Sequence, residues 1–249
     1  MRPLMLLRNL AKILAMDPCV VSDTHFFHDR IFSEFEPVRQ TFASSRAEFD
    51  DKMIEVLRRS SPLLHLGDVT IDSRNPAVMN ERVEWVTRRL RDVPKILLPG
   101  NHDRNSLSLY EKGGWKVVPC GVDLTGSPPR FYPDAPPFLL WNIDGQRVFF
   151  SHEPVLVDRE ESPHDKGIVR MLGEWFQRLG ATLNIHGHTH SRMIASPLFR
   201  NVSLEAVGFS PPRLSQIVAP VGQGLDLGTA VTETENLTSE AVNEPKFNV

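Results

Sequence analysis

Reduced to apolar and polar positions, the chain alternates short hydrophobic runs with longer stretches in which apolar residues return every three or four positions. The short runs predict buried strands and the periodic stretches predict amphipathic helices. Residues 18–22, 62–66, 94–99 and 115–119 are runs of the first kind. Residues 46–59 carry Phe49, Met53, Val56 and Leu57 at helical spacing behind Ser45 and Glu48, a capping-box pair, and so predict a helix with one buried face. Asn75 and Pro76 form a cap and first-turn pair for a second helix, whose inner stripe is Met79, Val83, Val86 and Leu90 with Trp85 at its margin. Residues 106–112 predict a short helix closed by Gly113 and Gly114. The first half of the chain is therefore β-α-β alternation.

The pattern changes over residues 121–137, where five prolines and two glycines predict a long loop that walls part of a site. Residues 138–143 and 146–150 then flank Asp144-Gly145, the pair favoured in a tight hairpin, and predict an antiparallel pair within a mixed sheet. Ile168, Leu172, Trp175, Phe176 and Leu179 make a helical stripe closed by Gly180, followed by a strand at 182–185 and a return to the sheet at 198–204. These elements predict an α/β chain with mixed sheets, folded as a single domain over residues 18–220. Residues 221–249, rich in Gly, Thr, Glu and Asn without apolar period, are expected to be a flexible tail. Residues 1–17 are an N-terminal extension, readable as an amphipathic helix laid on the domain, an organelle-targeting segment, or a stretch upstream of a start at Met16.

Composition narrows the function classes. A chain of 249 residues buries a sizeable core. A formal net charge of −3 excludes an overall basic field of the kind that holds nucleic acid, so nucleic acid is not a favoured partner. Cys19 and Cys120 lack metal-type spacing and read as reduced thiols in a cytoplasmic protein. Arg2, Arg8 and Lys12 break the apolar start, which leaves neither a signal peptide nor a membrane span there.

Candidate chemistry gathers where the apolar runs end. Asp23-Thr24-His25, Gly67-Asp68, Gly100-Asn101-His102-Asp103, Ser151-His152-Glu153-Pro154 and Gly187-His188-Thr189-His190 each follow such a run. Carboxylates at Asp23 and Asp68, the amide of Asn101, and imidazoles at His25, His152, His188 and His190 make a mixed oxygen and nitrogen donor set. Such a set suits manganese, iron, zinc, nickel or cobalt better than calcium or magnesium. Seven side chains exceed the needs of one ion. Two divalent ions about 3.5 to 4 Å apart, sharing a bridging carboxylate and a bridging hydroxide, would use them all, an arrangement suited to phosphate-ester hydrolysis. His65 and His186 match no ligand position and read as packing histidines, and His164 as a surface-loop residue. His28 and Arg104 stand beside matched positions and are candidates for contact with substrate phosphate.

In this order the blocks resemble the calcineurin-like metallophosphoesterases, whose pattern is Asp-x-His, Gly-Asp, Gly-Asn-His-Asp/Glu, a lone His and Gly-His-x-His. Asp23-Thr24-His25-Phe26 and Asn201-Val202-Ser203-Leu204 are most similar to the small single-domain prokaryotic and phage phosphoesterases, and the resemblance covers residues 18–217. It implies a four-layer α-β-β-α sandwich. It implies that Asp23, His25, Asp68 and His190 hold a first metal, that Asp68 bridges, and that Asn101, His152 and His188 complete a second, with manganese the favoured ion. His102 would be the unligated general acid, oriented by Asp103, in the hydrolysis of a small phosphodiester or nucleotide-like ester by in-line attack of the bridging hydroxide. The protein Ser/Thr phosphatases of the superfamily carry Gly-Asp-x-x-Asp-Arg-Gly, whereas here Gly67-Asp68 runs on as Val69-Thr70-Ile71-Asp72, which argues against that activity. The alternatives are a metal-dependent nuclease and a non-catalytic scaffold that keeps the fold. A scaffold would be expected to have lost a ligand or the acid histidine, and the set here is intact.

Overall fold

The computed structural model of the chain describes residues 3–155 and 166–219. The tail expected at 221–249 lies outside these residues, as does His164. In chain order come α1 (Pro3–Leu14), β1 (Cys19–Val21), α2 (Arg39–Phe42), α3 (Arg46–Arg59), β2 (Leu63–His65), α4 (Pro76–Arg89), β3 (Lys95–Leu97), α5 (Leu107–Lys112) and β4 (Lys116–Val117). Then follow β5 (Gly121–Asp123), β6 (Arg130–Tyr132), β7 (Phe138–Ile143), β8 (Gln146–Phe150), α6 (Lys166–Arg178), β9 (Leu183–His186), β10 (Phe199–Asn201) and α7 (Leu214–Val218). A π-helical turn at Ile31–Phe35 and a 3-10 turn at Arg104–Ser106 complete the set.

The strands form two sheets. One is parallel throughout, in the order β1-β2-β3-β4, and the other is mixed, in the order β10-β9-β8-β7-β5-β6. Side chains on successive strand residues point to opposite faces, and here each face finds a different partner. Val20, Leu64 and Ile96 of the first sheet meet Leu139, Val148, Phe150 and Ile185 of the second in one core. Their neighbours Val21, Leu63 and Leu97 face the other way, onto Phe49, Met53 and Leu57 of α3 and Val83 and Val86 of α4. Phe138, Leu140 and Phe149 likewise turn outward onto Leu172 and Phe176 of α6. Three cores between four layers is the α-β-β-α sandwich expected from the family pattern. A bridge between Ser22 and Ser203 joins the ends of β1 and β10, and another joins Cys19 to Arg213 ahead of α7.

Local chemistry explains the element ends. Ser45 Oγ accepts from the Glu48 amide at 3.2 Å, and the Glu48 carboxylate reaches back to the Ser44 amide at 2.8 Å, one residue earlier than an ideal capping box. Asn75 Oδ1 accepts from the Ala77 amide at 3.0 Å, so the cap of α4 is the expected one. Asp144 at φ 49° and Gly145 at φ 83° give the β7–β8 hairpin the two left-handed residues its turn requires.

One region differs from the pattern-based reading, and another takes one of the alternatives it left open. Residues 121–137 are not a loop: β5 lies buried beside β7, and β6 pairs with it at the sheet edge. The prolines belong to the turns, with Pro128 and Pro129 between the two strands. This segment packs on the second sheet and α6, where the Tyr132 and Trp175 ring centroids are 4.5 Å apart, so its described contacts do not make it a wall of the site. At the other end, α1 is laid on the domain beside β3 and β4, and Leu6, Leu7, Leu10, Ile13 and Leu14 enter the inter-sheet core. Among the described residues, no helix is long and apolar enough to cross a membrane.

Truncating the buried Leu10 in Leu10→Ala is expected to lower the unfolding free energy by about 2–5 kcal/mol in urea titration. Met5→Ala, at a side chain 52% exposed, is expected to shift it by less than about 0.5 kcal/mol. Equal effects from the two would show that α1 is not docked as described.

Candidate metal centre

β1, β2 and β3 are adjacent and parallel, so the loops that leave them open at one sheet edge. β8 and β9 are parallel neighbours in the second sheet and deliver residues 151–155 and 187–190 in the same way. The turns are tight: Asp23, His25, Asp68, His188 and His190 all lie in the left-handed region, with φ between 47° and 66°. Non-glycine residues there cost energy and persist where their surroundings over-determine them. Asp23 and His25 are held by hydrogen bonds from their amides to the carbonyls of Gly67 and Asp68, both at 3.0 Å. Glycine permits the closest approaches, since a Cβ on Gly100 would collide with Asp68 Oδ1 and one on Gly187 with Ser22 Oγ.

All seven expected donors are tied together by short contacts, with Asp68 at the middle. Its Oδ2 lies 3.5 Å from His25 Nε2 and 3.4 Å from His152 Nε2, so a single oxygen faces both halves of the cluster. On one side Asp23 Oδ1 lies 3.7 Å from His25 Nε2 and 4.0 Å from His190 Nε2. On the other, His152 Nε2 is 3.2 Å from Asn101 Oδ1 and 3.3 Å from His188 Nδ1. His188 also joins the first side through its amide, which donates to Asp23 Oδ2 at 2.8 Å. Asp23–His25–His190, His25–Asp68–His102 and Asp23–Asp68–His152 are each compact enough to hold an ion, with ligand atoms within 4.8 Å of one another.

Several of the remaining atoms of these residues are already committed. Asp23 Oδ2 accepts from the His188 amide and from Ser203 Oγ at 3.0 Å, and Asp68 Oδ1 accepts from the His102 amide at 2.9 Å. His152 Nδ1 donates to the Leu66 carbonyl at 2.8 Å, which turns Nε2 towards the cluster. Asp23 Oδ1 and both His25 nitrogens are buried with no hydrogen-bond partner. Orphaned buried polar atoms are costly unless something neutralises them. A donor set of carboxylate oxygens and imidazole nitrogens, left open only on its inner side, fits divalent metal.

The electrostatics agree. Burial alone would raise the Asp23 and Asp68 carboxyls, but the His25 and His152 imidazoles outweigh it and hold both well below the ordinary range. Burial opposes a charge on His152, yet Asp68 and Asp23 outweigh it and raise this imidazole. Carboxylates that favour a proton at that nitrogen favour a metal cation in its place.

One expected role looks different in space. Asp103 does not touch the His102 ring: it is fully buried, and its oxygens accept from the amides of Asp68 at 2.6 Å, Gly100 at 3.0 Å and Val69 at 3.2 Å. Burial, with the nearby Asp68 charge, pushes its carboxyl up to about 6. The carboxylate on His102 is Asp72, whose Oδ1 lies 2.8 Å from Nδ1, while Nε2 is turned towards Asp68 Oδ2 at 4.0 Å. Neighbours on a tight loop point in different directions, so adjacency in sequence misassigned the partner. Asp72 had one weak signal, its place four residues after Asp68 in the same block.

At the rim, His28 accepts from the Ile31 amide through Nδ1 at 3.1 Å, and its ring centroid is 5.6 Å from that of His25. Burial lowers its pKa to about 4, so it is a neutral donor rather than a cation. Arg104 is paired with Glu153 Oε1 at 2.9 Å, its side chain 43% exposed. His65 and His186 are fully buried. His65 links Thr24 Oγ1 at 3.0 Å with the Gly67 amide at 3.2 Å, and His186 Nδ1 donates to the Gly187 carbonyl at 2.9 Å. Arg39 and Glu205, a buried pair behind His190, had no motif to announce them.

The profile of the calcineurin-like phosphoesterase family matches residues 18–192. No curated protein matches the chain. Among solved structures, the chain is similar to a protein of unknown function from Aquifex aeolicus, at 23% identity and a TM-score of 0.48, over 78% of this chain and 92% of that one. A Pseudomonas putida nuclease is 19% identical with a TM-score of 0.34, over 69% and 60% of the two chains. An archaeal phosphodiesterase is 17% identical with a TM-score of 0.35, over 74% and 81%. On the family match, which spans most of the sandwich and every block of the cluster, the chain belongs to the calcineurin-like phosphoesterase family.

Proposed function

We propose that the chain is a two-metal phosphoesterase acting on a small phosphodiester or nucleotide-like ester, with manganese the favoured ion. In this reading Asp23, His25, Asp68 and His190 hold the first ion, and Asp68, Asn101, His152 and His188 the second. The observation that carries it is Asp68 Oδ2, which faces His25 Nε2 at 3.5 Å and His152 Nε2 at 3.4 Å from two different sheets. When bound, two divalent ions polarise the phosphoryl oxygens and supply water of lowered pKa at neutral pH.

The chain's own groups complete the reading. In its doubly protonated form His102 donates Nδ1–H to Asp72 and turns Nε2–H towards the cluster, where a departing oxygen can take that proton and leave the ring neutral. His28 offers its Nε2–H as a neutral donor to a phosphate oxygen. Arg104 is a rim cation whose pairing with Glu153 a substrate anion would have to share. Asp103 acts only through the backbone that sets Asp68. The formal charge of −3 offers little to attract a long polyanion, which ranks the nuclease reading second.

Activity on a generic phosphodiester is expected to vanish on chelation and to return with manganese. Full turnover in a sample verified metal-free would contradict the proposal. Asp68→Asn is expected to reduce bound metal below two ions per chain by elemental analysis. An unchanged metal count would remove the bridging role.

His102→Ala is expected to keep both ions and to lose about a hundredfold or more in rate with a poor leaving group, and less with nitrophenolate, which hardly needs a proton. Asp72→Asn should fall in the same direction but cost little further in the His102→Ala background, since the two act as one unit. Equal losses for both leaving groups would leave His102 with charge stabilisation only.

A further inference from the structure

Behind the first half of the cluster lies a guanidinium that the proposed chemistry does not use. Arg39 is 1% exposed, and fully buried arginines are uncommon because a charge removed from water needs compensation. Its compensation is specific. Nη2 donates to the Asp23 carbonyl at 2.6 Å and Nη1 to the Thr24 carbonyl at 2.9 Å. Nε donates to Glu205 Oε1 at 2.6 Å, and Nη2 reaches the same oxygen at 2.5 Å. With Oε1 occupied, Oε2 is the acceptor left for His190, whose Nδ1 is 3.4 Å away. A carboxylate can only accept, so Nδ1 carries the proton and Nε2 presents its lone pair towards Asp23 Oδ1, 4.0 Å distant.

One buried cation thus grips the peptide units that set Asp23 and His25, and fixes through Glu205 the ring of His190. In the second half of the cluster the His152 ring is oriented by a neutral backbone carbonyl. An anionic partner makes a ligating imidazole more basic than a neutral one does.

We infer that Arg39 and Glu205 are positioning residues for the first metal position alone, holding Asp23, His25 and His190 in ligand geometry and His190 in its Nδ1–H tautomer. This rests on the two-ion reading above, and the test separates the two. Metal-free wild type, Glu205→Gln and His190→Ala are dialysed against graded manganese, with bound metal counted by elemental analysis and the metal-free melting temperature recorded. Glu205→Gln strands a buried guanidinium, so the double variant Arg39→Met with Glu205→Gln, which removes both charges, is carried alongside.

Each folded Glu205 variant is expected to weaken one ion by about 10–100-fold. That ion is the one His190→Ala also loses, and the other should hold within about twofold of wild type. Unchanged binding, or equal weakening of both ions, overturns the inference. Failure of the two-ion reading appears separately, as fewer than two ions on the wild type. A further measurement needs no Glu205 variant. Proton–nitrogen spectra of metal-free wild type at alkaline pH, with the ring assigned through His190→Ala, are expected to show the His190 proton on Nδ1. A proton on Nε2 overturns the inference outright.

Discussion

The Asp103 carboxylate is the contact on which the rest of the site depends. It is fully buried and accepts from the amides of Gly100, Asp68 and Val69. Hydrogen bonds from amides to a charged acceptor are strong, and inside a protein the loss of any one leaves a costly unpaired group. The two loops it joins leave the neighbouring parallel strands β2 and β3. With Asp103 closing the gap, Asp68 is brought to the seam between the sheets, where its Oδ2 meets imidazoles from both sides.

That seam exists because the strands are short and alternate strictly. In β1, Val20 enters the inter-sheet core while Val21 faces α3 and α4, and β7 divides Leu139 from Phe138 and Leu140 in the same way. β1 is buried along all three of its residues and β7 along its first three. The hydrophobic layers carry the stability, which lets the edge hold backbone in the left-handed region and a dense group of buried ionisable side chains. Left-handed Asp23 and His25 are secured across the sheet by the carbonyls of Gly67 and Asp68 and from behind by Arg39.

What could be read from the sequence followed the range of the interactions involved. Caps at Ser45 and Asn75, the Asp144-Gly145 hairpin and the stripe of α6 are set by residues within a turn of one another, and they appear where the pattern puts them. Residues 121–137 misled because their prolines and glycines serve the turns, while the pairing of β5 with β7 depends on residues further along. The candidate donors were legible because the motif keeps them in fixed order. Their supports were not: Arg39 and Glu205 are 166 positions apart, and nothing local in either marks the pair.

The carboxylates around the centre differ in how they divide their two oxygens, and that division separates their roles better than position in a motif. Asp23 gives Oδ2 to the His188 amide and Ser203 and keeps Oδ1 unpartnered, and Asp68 gives Oδ1 to the His102 amide and turns Oδ2 inward. Glu205 spends Oε1 on Arg39 and Oε2 on His190, so it reaches the centre only through an imidazole. Asp103 spends both oxygens on backbone amides. A carboxylate needs an uncommitted lone pair to bind a cation, and a committed partner to hold its angle while doing so. By that test Asp23 and Asp68 are fitted to be ligands, Glu205 supports one, and Asp103, though it sits inside the most recognisable block of the chain, holds the frame.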